Sequence, residues 1–173
     1  MTLTKRNSLS VKILSLLLAV ITAFSAFTMT SVTAEAASVP AQAFVAVKKA
    51  YGKSFPLSSK NRIKGKKRVF GVKTSYLKTY YAASKTVGKK NAKAEYLFMV
   101  AEVKDKDNVK KVKSLLNKFK KNEQASMENY LSKKGKALFK NCKVGSVGKY
   151  VYIVMIDTNA NKKAIKAIKK TVG

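Results

Sequence analysis

The 173-residue chain has no histidine, no tryptophan, a single cysteine, two prolines and only eight acidic residues. Without histidine, Ser-His-Asp and Cys-His arrangements, His metal sites and the usual general base near neutral pH are all excluded. One cysteine, Cys142, cannot close an internal disulfide, so the fold must rest on an apolar core. Free cysteine is among the most buried residue types, and Cys142 is read as a small core residue. As a nucleophile it would have Lys140 and Lys143 nearby in sequence to lower its pKa, but no evident base. The acids are too sparse for a convincing carboxylate pair. Glu95 and Glu102 lie near opposite ends of one expected strand, while Asp105 and Asp107 suit a helix N-cap. Asp105-Lys106-Asp107-Asn108 resembles the opening of a calcium loop but lacks its glycine and closing glutamate. P-loop and dinucleotide fingerprints are missing. Two Ser-x-x-Lys matches, starting at Ser75 and Ser146, are what chance provides in a lysine-rich chain, and their partner motifs are missing. The sequence therefore offers no catalytic residue, no metal-ligating set and no cofactor motif, and a non-enzymatic protein is expected.

What the chain does have begins at its N-terminus. Lys5, Arg6 and Lys12 precede an apolar stretch over residues 13–29, and Ala34-Glu35-Ala36 follows. A positive start, apolar middle and A-x-A end make residues 1–36 a secretory signal peptide, cut before Ala37. The apolar stretch falls short of the ~20 residues of a spanning helix and is diluted by Ser15, Thr22, Ser25 and Thr28, which favours cleavage over anchoring. Its length and long polar tail fit a Gram-positive exporter. There is no cysteine at the cut, hence no lipobox. The C-terminal residues 169–173 carry neither an apolar segment nor a wall-sorting signal. A secreted protein without transmembrane segment or covalent anchor is expected.

Of the 37 basic and eight acidic residues, three and one precede residue 37, which leaves 34 against seven and a net charge of +27. Such a charge predicts polyanion partners and is silent on fold. Thirty-two of the 34 are lysine. Lysine is a point charge, whereas arginine's planar fork reads bases and phosphates bidentately, so diffuse attraction is favoured over sequence-specific nucleic-acid recognition. Residues 37–94 hold fifteen cations and not one acid. Within them, Lys60, Arg62, Lys64, Lys66, Lys67 and Arg68 make the densest run, preceded by Lys48, Lys49 and Lys53; these nine are the candidate polyanion contacts.

Residues 37–173 suit one α+β domain whose first part, 37–94, is less regular. A helix is expected over 41–51, stopped by Gly52, then a loop at Phe55-Pro56, a short strand over 69–72, and helical spacing in Tyr76, Leu77, Tyr80 and Tyr81 up to Ser84. Those tyrosines are read as half in the core rather than as stacking platforms. Residues 96–101 read as a central strand covered on both faces. A long helix follows, capped by Asp105 or Asp107, with Val109, Val112, Leu116 and Phe119 as its buried stripe, extended by Met127, Tyr130 and Leu131, and Gly135 at its end. Next come a strand over 138–147, a two-residue turn at Gly148-Lys149, and a strand over 150–156. A last helix, capped by Asp157 or Thr158, places Ala164, Ile165, Ile168 and Val172 on one face. The outcome is a small, mainly antiparallel sheet of strand, long helix, two-strand hairpin and helix, packed by helices.

From residue 76 onward this pattern resembles the exported Gram-positive family known as domain of unknown function four-three-five-eight. The residues that carry the likeness are Ala94-Glu95-Tyr96-Leu97-Phe98-Met99-Val100, Val103-Lys104-Asp105, Val109, Val112, Gln124, Tyr130 and the Gly148-Lys149-Tyr150-Val151 hairpin. The resemblance implies fold and export but no mechanism, since the family has no assigned activity; most of its members are lipoproteins of mixed or acidic charge. Three functions stay open. The leading one is an exported binding module held by charge at the cell envelope, on teichoic acid or another anionic wall polymer. The others are a secreted, sequence-independent nucleic-acid binder, and a protein-interaction module whose lysine excess is genomic background.

Overall fold

The computed structural model describes residues 38–173, so the expected signal peptide lies outside the described residues. Helix α1, Val39–Tyr51, starts where the Ser38 side chain accepts from the Ala41 amide and Pro40 fills the first turn, where its missing N–H costs nothing. It ends, as expected, at Gly52, whose φ of 56° breaks the helix. Strands β1, Arg68–Val69, and β2, Val72–Lys73, pair antiparallel as a minimal hairpin around Phe70 and Gly71. The single strand expected over 69–72 is therefore a turn with two short arms: Phe70 and Gly71 have φ of 48° and 77°, the backbone of a primed turn.

Strands β3, Leu77–Lys89, and β4, Ala92–Val103, form a long antiparallel ribbon. This overturns the helical reading of residues 76–84. Both Ala82 and Ala83 are buried, so the alternation that marks a strand is hidden, and the tyrosine spacing imitates a helical stripe. Helix α2, Asn108–Met127, buries Val112 and Leu116. Neither proposed cap acts on its amides: Asp107 makes no side-chain cap bond, and the Asp105 carboxylate accepts from the Asn108 side chain instead. After a turn at Glu128–Tyr130 comes helix α3, Lys133–Asn141, capped by Ser132. The strand expected over 138–147 is thus helix up to Asn141, and only Lys143–Val147 is strand β5. A short apolar run such as Ala137-Leu138-Phe139 fits either element, and tertiary packing decides.

Strand β6, Tyr150–Met155, pairs with both β5 and β4, giving the order β3-β4-β6-β5, antiparallel throughout. Gly148, with φ of 52°, and Lys149 make the expected two-residue turn. Helix α4, Lys162–Val172, begins several residues beyond the expected caps, after Asn161 in left-handed conformation. Four helices and two antiparallel sheets make the fold α+β, as the sequence suggested. Among the described residues no helix is long and apolar enough to cross a membrane.

The core gathers around β4, where every residue from Tyr96 to Val103 is buried. Phe98 pairs with Ala83 and Val154 on one face, and Val100 with Tyr81 and Tyr152. Phe44 of α1 covers that face, stacking on Tyr81 at 4.3 Å and meeting Phe98 edge-on at 5.3 Å. Helix α4 packs beside α1, and α2 packs across β4, β5 and β6.

Candidate polyanion-binding surface

The nine candidate contacts fall on separate parts of the surface. Lys48 on α1 lines a cleft of about 350 Å³ with Arg62, Lys64, Ser59, Val45 and the rings of Phe44 and Tyr81. Arg62 is positioned by two features. Its chain segment pairs with β3, where the Ile63 amide donates to the Ala82 carbonyl at 2.8 Å, and its guanidinium lies 4.6 Å from the centre of the Tyr81 ring. Lys49 belongs to a different cleft, of about 500 Å³, between α1 and α4, which it shares with Lys170 and Thr171. Lys53, Lys60 and Lys66 are exposed and line none of these clefts.

Lys67 and Arg68 enter a third cleft, of about 370 Å³, with Lys73, Thr74 and Ser75. The hairpin dictates this grouping. Arg68 and Lys73 stand directly opposite each other across β1 and β2. Thr74 then ties the hairpin base, donating to the Lys67 carbonyl from its amide at 3.0 Å and from its hydroxyl at 3.2 Å. Below the turn, Phe70 is buried and packs on Phe119 of α2 at 5.2 Å, and Val69 and Val72 are buried beside it. This anchorage holds Phe70 in a left-handed conformation that costs a residue other than glycine about 1 kcal/mol.

Helix α2 adds Lys111 to this group, its ammonium 4.6 Å from the centre of the Tyr76 ring. A hydrogen bond from Lys111, its charge, and the charges of Lys73 and Arg68 hold the Tyr76 hydroxyl below the ordinary tyrosine range. Lys73 and Lys111 escaped the sequence reading. The near-symmetry of Arg68-Val69-Phe70-Gly71-Val72-Lys73 is the signal that would have paired Arg68 with Lys73, but Phe-Gly is not the usual hairpin dipeptide. Nothing in the sequence would have brought Lys111 to them.

The reactive side chains lie elsewhere. Cys142 is buried, as expected of a core cysteine, and burial pushes its thiol up to about 11. Its backbone carbonyl accepts from Lys120 at 3.0 Å. Burial, with a contribution from Glu123, pushes Glu95 up to about 7, and its Oε2 is enclosed without a partner. Glu102 is held low by Lys149 at 2.6 Å and Lys78 at 3.3 Å. None of the three clefts contains Glu95, Glu102 or Cys142. Among the described residues no group of His, Cys, Asp or Glu side chains could hold a metal ion.

Comparison with known proteins adds a family. No curated protein and no solved structure matches the chain. Residues 57–156 match the family described as Domain of unknown function (DUF4358). Against the resemblance from residue 76 onward, the match begins nineteen residues earlier, taking in the β1–β2 hairpin and its cations, covers the whole four-stranded sheet, and ends at residue 156, before α4. The chain belongs to the DUF4358 family.

Proposed function

We propose that this is a non-enzymatic exported protein, retained at the cell envelope by charge on teichoic acid or another anionic wall polymer. The observation that carries the reading is one of stoichiometry and placement. Seven acids cannot neutralise 34 cations over residues 37–173, and one of the seven, Glu102, already engages both Lys78 and Lys149. Eight of the cations line three separate open clefts, on α1, on the hairpin and between α1 and α4. A small ligand would call for one deep pocket, whereas a long flexible polyanion profits from several shallow positive stations. The two arginines among so many lysines weigh against sequence-specific nucleic-acid reading.

Retention on purified cell walls, with and without their teichoic acids, across a salt series tests this. Salt-sensitive retention that disappears with the teichoic acids is expected. At about 1 M salt the Debye length is ~3 Å, so retention that survives there contradicts an electrostatic attachment. Charge reversals within residues 60–68 should weaken retention. Equal binding to free DNA, falling steeply with salt and indifferent to sequence, would transfer the proposal to nucleic acid.

A further inference from the structure

We infer that Arg68, Lys73, Lys67 and Lys111, with the hydroxyls of Ser75 and Tyr76, form a site for one phosphate group of a phosphodiester chain. The inference rests on the polyanion reading above and gives it an address. Like charges placed directly opposite in a hairpin destabilise it, and Arg68 and Lys73 are so placed. The hairpin nevertheless persists with a strained Phe70, pinned to α2 by the Phe70–Phe119 contact. A local rule broken at a point that the rest of the fold braces is the mark of a functional position. An anion between the two cations turns their repulsion into attraction.

The donors approach from different directions. Lys67 and Arg68 come from one arm of the hairpin, Lys73 from the other, Ser75 and Tyr76 from the turn after it, and Lys111 from α2, over the Tyr76 ring. Converging donors suit a tetrahedral group better than a planar carboxylate, and the single arginine supplies the bidentate contact that phosphate accepts. The cleft, about 370 Å³ and open to solvent at its exposed lysines, leaves space for the groups that flank a phosphodiester.

The test uses protein expressed from the full sequence and calorimetric titration at fixed ionic strength. The probes are a short glycerol-phosphate oligomer, inorganic phosphate, and an oligoglutamate of matched charge. Arg68→Gln/Lys73→Gln is compared with Lys89→Gln/Lys90→Gln, which removes the same charge from the exposed tip of the β3–β4 ribbon, outside all three clefts. The oligomer should bind about tenfold more weakly to the first variant and within about twofold of the parent to the second. Lys111→Gln, which leaves the hairpin untouched, should also weaken binding, so a folding failure of the hairpin variant does not decide the matter. Inorganic phosphate that binds as tightly as the oligomer, with the same loss, supports the site and identifies free phosphate as its source. Oligoglutamate that matches the oligomer in affinity and in loss overturns the phosphate assignment. Equal losses in both double variants overturn the site but leave the polyanion reading standing. If the unmodified protein binds none of the probes, the polyanion reading itself fails.

Discussion

Glu95 and Glu102 stand seven residues apart on β4 and have opposite consequences for stability. Glu102, paired with two lysines, keeps its charge more easily folded than unfolded; its contribution is present above the ordinary carboxylate range and is lost as pH falls through its lowered folded value. Glu95 is the reverse. Its pKa rises from 4.5 to about 7 in the fold, so its contribution is complete below the unfolded value and lost as pH rises through about 7. The full shift corresponds to about 3 kcal/mol, which partial exposure and solvent screening reduce to about 1–2 kcal/mol. Glu95→Gln is therefore expected to be the more stable protein at about pH 9, with the advantage gone by about pH 5. Thermal melts of both proteins across pH check this, and a difference that does not change with pH contradicts it. Asn161 bears more on the fold. Buried and left-handed at φ 55°, it accepts from the Ile156 and Asp157 amides, each at 3.0 Å, and donates to the Asn141 carbonyl at 2.8 Å, joining the end of β6 to the end of α3. Asn161→Ala leaves buried amides unpaired and strains the backbone, for an expected loss of about 2–4 kcal/mol. Asn161→Gly relieves only the strain and should lose about 1 kcal/mol less. Urea unfolding of the two variants separates these contributions.

At the level of elements, α3 lies against the end of the β3–β4 ribbon through a glycine. A Cβ on Gly135 would collide with the Lys93 carbonyl oxygen and stand 3.4 Å from the Ala94 Cα, so the obstruction is backbone that cannot rotate away. Glycine to alanine within a helix normally gains about 1 kcal/mol. Here Gly135→Ala should instead destabilise by about 1–3 kcal/mol, because the helix must lift off the strand. A raised urea midpoint for the variant would show that α3 does not press on β4. Gly135 also shows where sequence reading failed. With a strand expected over 138–147, Gly135 reads as the end of the long helix, whereas it is the point at which a second helix touches the sheet. The elements that could be read were those with one dominant signal: α1 with its glycine stop, the doubly buried β4, the stripe of α2, the Gly148-Lys149 turn. Those that could not were set by neighbours. β3 is buried at residues 81–83, where Phe44 of α1 covers it and the segment at Arg62 and Ile63 pairs with its edge, α3 is fixed by its fit to the β4 backbone, and the start of α4 is fixed by the Asn161 plug rather than by an aspartate cap. The candidate surface was half legible for the same reason. A run such as residues 60–68 announces its charge, but only the hairpin and α2 bring Lys73 and Lys111 to it.

Over the whole molecule, the surplus charge acts on folding and on binding with opposite responses to salt. A net +27 over residues 37–173 repels itself in the compact state, so screening it should stabilise the fold. Raising sodium chloride from about 20 to about 500 mM is expected to lift the melting temperature by about 5 °C, equivalent to ~1 kcal/mol for a domain of this size. The same salt should release the protein from an anionic polymer, because each neutralised phosphate gives up counterions that salt makes costlier to release. The two responses therefore diverge: the protein dissociates while becoming more stable. That divergence separates electrostatic release from denaturation, which would remove binding and the melting transition together. Phosphate at about 10 mM should add a further rise in the parent protein, too dilute for general exclusion effects, and none in Arg68→Gln/Lys73→Gln. A melting temperature unmoved by sodium chloride would mean that the lysines are spaced widely enough to ignore one another. The surface would then lack the strong overall positive field that the envelope reading requires.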